Sequence, residues 1–75
     1  MNYTTKTGTT KKTYVLSGSR QNEMTARGWR IHLAESYQET AQELYDRLAA
    51  RYSDVRIYES TTQIAGLHSI FAMCK

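Results

Sequence analysis

A chain of 75 residues amounts to one small domain, and a domain of this size buries only ~60% of the surface that its unfolded chain exposes. With 40% hydrophobic and 23% charged residues, six Tyr, one Trp and a single Cys, it is too apolar and too aromatic to be disordered, and it cannot close an internal disulfide. Its net charge of +3 is unevenly held, since residues 1–34 carry six cations against Glu23 alone and residues 35–75 carry four cations against six acids.

Residues 1–10 (MNYTTKTGTT) are rich in Thr and carry no aliphatic side chain after Met1. They read as a flexible tail or an edge strand, with a single α+β domain occupying residues 11–75. The next stretch, Lys11 to Ser17, has a strand's composition around Tyr14, Val15 and Leu16. Residues 18–28 are small and polar and lie between Gly18 and Gly28, which predicts a long exposed turn. Trp29 to Leu33 then alternates apolar and polar residues, the clearest strand pattern in the chain, and is expected to form a hairpin with the preceding strand.

Ser36 and Glu39 have the spacing of a capping box, and Tyr37, Ala41, Leu44, Tyr45, Leu48 and Tyr52 recur as one apolar stripe. Together they predict an amphipathic helix that ends at Ser53-Asp54, with Glu43 and Arg47 as a favourable pair one turn apart. A further strand follows, with Val55 and Ile57 on one side and Arg56 and Tyr58 on the other. Turns are possible at Thr61–Gln63 or at Ala65-Gly66. The run from Leu67 to Cys74 is apolar on both faces, the mark of a strand covered on both sides. The predicted fold is therefore α+β with the order β-β-α-β-β: one amphipathic helix on a four-stranded, mainly antiparallel sheet.

One helix is ~10 Å across, whereas four strands make a sheet about 14–19 Å wide. The second sheet face is accordingly expected to lie open, presenting Tyr14, Tyr58, Ile70, Ala72 and Cys74 while Phe71 and Met73 face the helix. An open face beside an exposed edge is a contact surface. A homodimer, or a dimer that forms with rising concentration, is expected through the last strand or through that face.

No arrangement of nucleophile, base and orienting group is visible, and Cys74, His32 and His68 have no motif around them. Neither zinc-ligand spacing nor a phosphate loop is present. The chain is thus read as a non-enzyme without cofactor or metal. No apolar run reaches the ~18 residues of a membrane span, and no apolar leader follows Met1, so a cytoplasmic protein without membrane contact is expected. Arg27-Gly28-Trp29 has the basic, glycine, aromatic opening of an RNA-recognition signature, but Arg30 to Leu33 departs from it and the element order is wrong for that fold.

The residues expected to bind are Lys11, Lys12, Arg20, Arg27, Trp29, Arg30, Arg56 and Tyr58. They suit a small protein-binding module whose partner is a larger protein or nucleoprotein complex. Phage and mobile-element inhibitors that occlude restriction, CRISPR or polymerase complexes act in this way. The rival reading is a small DNA- or RNA-binding protein that uses the basic hairpin loop and the open sheet face, since cations among aromatics pair with phosphates and stack on bases.

Overall fold

The computed structural model describes residues 1–36, 38–60 and 70–75. In chain order these form β1 (Asn2–Thr4), β2 (Thr10–Lys12), β3 (Tyr14–Val15), α1 (Gly18–Ala26), β4 (Arg30–Leu33), α2 (Ala41–Ala49), β5 (Val55–Glu59) and β6 (Ile70–Cys74). The fold is α+β, as expected, but the β-β-α-β-β order is not. A second helix stands where a turn was expected, and the four-stranded sheet is mixed, in the order β3-β5-β6-β4. The radius of gyration, 11.7 Å, matches the ~11 Å of one compact domain of this length.

The apolar stripe makes α2, and Ala41, Leu44, Tyr45 and Leu48 are all buried along it. Tyr52, just beyond the helix, packs half-buried against the same cluster; Tyr37 lies outside the described residues. The helix begins later than Ser36 suggests because a better capping box is available. The Thr40 hydroxyl accepts from Glu43 N–H at 3.1 Å, and the Glu43 carboxylate accepts from Thr40 N–H at 3.2 Å. Occupied there, Glu43 does not pair with Arg47. Arg47 instead binds Glu39 at 3.0 Å and Glu35 at 3.5 Å, which fastens the chain before α2 to the helix surface.

The expected hairpin between the first two strands does not form. Thr13, only 2% exposed, breaks the stretch after β2, because its hydroxyl is turned inward to Met1 C=O (3.0 Å) and the Glu59 carboxylate (3.2 Å). The chain then divides. β2 pairs antiparallel with β1, while β3 runs parallel to β5, with Tyr14 beside Tyr58. β3 and β4 lie at opposite edges of the sheet, and α1 fills the connection between them.

Residues 2–4 are held firmly. Tyr3 is buried against Tyr45, with ring centroids 5.4 Å apart, and its hydroxyl accepts from Ile57 N–H. Gln42 acts as a surrogate strand for β1, accepting from Thr4 N–H at 2.6 Å and donating to Thr4 C=O at 3.0 Å.

β6 lies between β5 and β4, and all five of its residues are buried. The doubly apolar pattern therefore marks a strand covered on both sides, but the faces are the reverse of those expected. Ile70, Ala72 and Cys74 join the α2 cluster, whereas Phe71 and Met73 join Leu16, Met24, Trp29 and Tyr58 on the other face. That second face is thus partly roofed by α1. As an interior strand, β6 offers no edge to a second copy, which removes the first of the two expected routes to a dimer. The possible turns between Thr61 and Gly66, and His68, lie outside the described residues.

Candidate binding face

α1 positions the site, although its pattern is not that of a helix: none of its nine residues is fully buried. Its ends supply what its faces lack. Ser17 caps the start, accepting from Arg20 N–H at 3.3 Å. The end is closed by two bonds, Gly28 N–H to Thr25 C=O and Trp29 N–H to Met24 C=O, both 3.0 Å. This pairing is a Schellman motif, and it needs the left-handed backbone that Gly28 adopts at φ +97°. Met24 and Trp29, the two residues that close the motif, both pack against the cluster of Leu16, Phe71 and Met73. Gly28 thus directs Trp29 onto the sheet.

Around Trp29 the cations converge. The Arg56 guanidinium stands 4.8 Å from the centre of a Trp29 ring and the Lys75 ammonium 5.8 Å, both within the range of cation–π attraction. Arg20, Arg27, Arg56, Lys75, Trp29 and Tyr58, with Glu23 and Met24, line a cleft of about 270 Å³. Arg56 and Tyr58 also line a second cleft of about 350 Å³, together with Lys11, Lys12, Tyr14 and Ile57. The two clefts adjoin through these shared side chains and form one basic strip across β2, β5 and α1. Tyr58 is braced from beneath by Phe71, with centroids 6.1 Å apart, while Tyr14 is 66% exposed.

Seven of the eight expected binding residues lie along this strip. Arg30 does not. It pairs with Cys74 across β4 and β6, and paired residues point to the same face, which here is the α2 face. Strict alternation along β4 separates Arg30 from Trp29. Lys75 and Glu23 were not anticipated, because a terminal lysine and a lone acid in a polar stretch carry no pattern of their own, whereas Tyr14 was expected on the open sheet face beside Tyr58. The sheet also leaves Ile31 and Leu33 46% and 50% exposed. Their register partners, Met73 and Phe71, put them on the same face as the strip.

Among the described residues, no group of three His, Cys, Asp or Glu side chains could hold a metal ion, and no helix is long and apolar enough to cross a membrane. His32, on the α2 face, shares a 2.9 Å hydrogen bond with the Tyr52 hydroxyl. Burial, then Arg51, Arg47 and Arg30, lower its proton affinity. Cys74 is buried, and burial pushes its thiol up to about 11. Because the thiolate is the reactive form, a thiol reagent at about pH 8 should label the native protein only as fast as it unfolds. Labelling rates that rise in step with denaturant-induced unfolding check this, and prompt labelling of the folded protein would contradict it. The fold keeps this thiol protonated, so its contribution to stability is fully present below about pH 9 and is lost as pH rises through about 11.

Comparison of the chain with protein-family models, curated proteins and solved structures finds no match.

Proposed function

We propose that this protein is a small non-enzymatic binding module whose basic and aromatic face docks on an acidic surface of a larger protein. The observation that carries this reading is the continuous strip, in which Lys11, Lys12, Arg20, Arg27, Arg56 and Lys75 alternate with Tyr14, Tyr58 and Trp29 over two adjoining clefts. Tyr, Trp and Arg are the side chains enriched at the centres of protein interfaces. Ile31 and Leu33 extend the same face with exposed aliphatic surface, which suits a protein partner better than phosphates and bases. An inhibitor with such a face acts by covering an acidic region of its target. It does not imitate nucleic acid, because a nucleic-acid channel is itself positive and repels the strip.

The second reading, binding to single-stranded nucleic acid, rests on Tyr14, whose exposed ring stands in the cleft lined by Lys11 and Lys12 and offers a stacking platform. Affinity capture from native host extract, with and without nuclease, separates the two. A protein retained after nuclease treatment and released by moderate salt is the expected result. Bound material that disappears with nuclease would transfer the function to nucleic acid.

A further inference from the structure

The hydrogen-bond phase of the sheet shows which backbone groups of β4 point away from β6. Asp54 and Lys75 exchange both of their backbone bonds, at 3.1 and 2.9 Å, so they form a hydrogen-bonded pair. In an antiparallel ladder such pairs alternate with non-bonded ones. Arg56–Met73 and Tyr58–Phe71 are therefore bonded pairs, and Val55, Ile57 and Glu59 point their backbone groups away from β6. Two contacts agree with this phase: Ile57 N–H donates to the Tyr3 hydroxyl, and Glu59 C=O accepts from Leu16 N–H. On β6, Ala72 and Cys74 must then bond towards β4, to His32 and Arg30. The N–H and C=O groups of Ile31 and Leu33 point outward from the sheet, and of these, among the described residues, only Leu33 C=O has a bond, a long one of 3.3 Å from Arg47 Nη2.

From this arrangement we infer that two copies of the chain pair through β4 about a two-fold axis at His32, joining two four-stranded sheets into one of eight strands. The edge is self-complementary in this register. Ile31 of each copy comes opposite Leu33 of the other, so the outward groups of both residues make four backbone hydrogen bonds across the axis. The same pairing sets two Ile–Leu pairs side by side on the face where both residues are half exposed, which is the favourable unit of strand pairing. The ladder stops beyond these residues, because Trp29 N–H is already bonded to Met24 C=O.

Charge limits the strength of the pairing, because Arg51, Arg47 and Arg30 lie within electrostatic reach of each His32 and two such sets approach across the axis. The two His32 rings meet at the axis, each bonded to its own Tyr52 and with its proton affinity lowered by burial and then by these arginines. Arg30 comes opposite Ala34 of the other copy, one residue from Glu35, whose carboxylate is 69% exposed. The contact is a short edge and falls below the ~800 Å² per partner of a standard interface. The dimer is therefore weak. The basic strip, on β2, β5 and α1, stays uncovered and the module becomes bivalent, while the pairing draws on the Ile31 and Leu33 surface that flanks the proposed docking face.

Sedimentation equilibrium from about 10 μM to about 1 mM tests this inference. The average mass should rise from 8.6 kDa towards twice that value. Leu33→Lys, which places a charge on an exposed edge position, should hold the mass at the monomer value, while Val15→Lys on the opposite edge should leave association unchanged. Hydrogen exchange of the unaltered protein gives a second readout, in which the amides of Ile31 and Leu33 gain protection as concentration rises. A constant monomer mass would overturn the inference. So would association that Leu33→Lys leaves intact, or protection that fails to appear at those two amides.

Discussion

Replacing Leu48 by alanine should cost about 2–5 kcal/mol of folding stability, the range for emptying a fully buried leucine site. Leu48 is 1% exposed and sits in the cluster that joins α2 to β5 and β6. A domain this small has a total stability of ~5 kcal/mol, so the variant should be largely unfolded at ambient temperature. Met24→Ala is the informative contrast. Met24 is the apolar residue through which α1 joins the second cluster, and it is only half-buried, so its truncation should cost no more than about 1 kcal/mol. Chemical denaturation of the two variants checks both values. Equal losses would mean that α1 and α2 contribute alike to the core, against the burial seen here.

Reversing Arg20 and Arg27 to glutamate should cut the rate of association with an acidic protein partner by about tenfold or more, because steering by surface charge typically changes on-rates by 10–10³. Both side chains line the cleft around Trp29, and neither has a salt bridge among the described residues. Their reversal therefore takes little from the fold. Tyr14→Ala should act on the other rate. Its ring is 66% exposed, so truncation leaves stability almost unchanged and shortens the lifetime of any complex in which that ring is buried. Association and dissociation measured at several salt concentrations distinguish the two effects. On nucleic acid, by contrast, log affinity falls with log salt by ~0.7–0.9 per phosphate contact, and the double reversal would flatten that slope.

The parts legible in the sequence were those governed by periodicity. The stripe of α2, the alternation of Val55, Arg56, Ile57 and Tyr58, and the doubly apolar run of β6 each record what a side chain faces, and each forms the element it predicts. Two kinds of information were not carried that way. α1 is specified by its ends, Ser17 at one and Gly28 with Trp29 at the other, and with a single half-buried apolar side chain its interior reads as a turn. Strand order is set by distant partners. That β3 runs beside β5 and not β4 depends on the inward turn of Thr13 towards Met1 and Glu59, a contact that no local pattern announces.

The binding residues were recognised by type before their arrangement was visible. Cations and aromatics were chosen from separate stretches, and folding gathered most of them because α1 carries Arg20 and delivers Arg27 and Trp29 to the face that already holds Arg56 and Tyr58. Arg30 was lost to the alternation of β4. Lys75 was gained because it follows β6, whose end lies beside Trp29.

The interior position of β6 also governs how the molecule reaches its fold. β4 and β5 never touch as neighbours in the sheet; each is paired to β6. Until Ile70–Cys74 is in place, the earlier strands have no common partner, and both clusters lack the residues that close them. A fragment ending before β6 keeps only the β1–β2 and β3–β5 pairs and cannot assemble the four-stranded sheet. Folding must therefore close long loops before the reward of pairing arrives, which places this chain among the slower two-state folders, at about milliseconds to seconds despite its size. In the meantime the unpaired edges of β4 and β5 are open to other chains, so a sluggish search for β6 is also the interval in which the protein is most prone to aggregate.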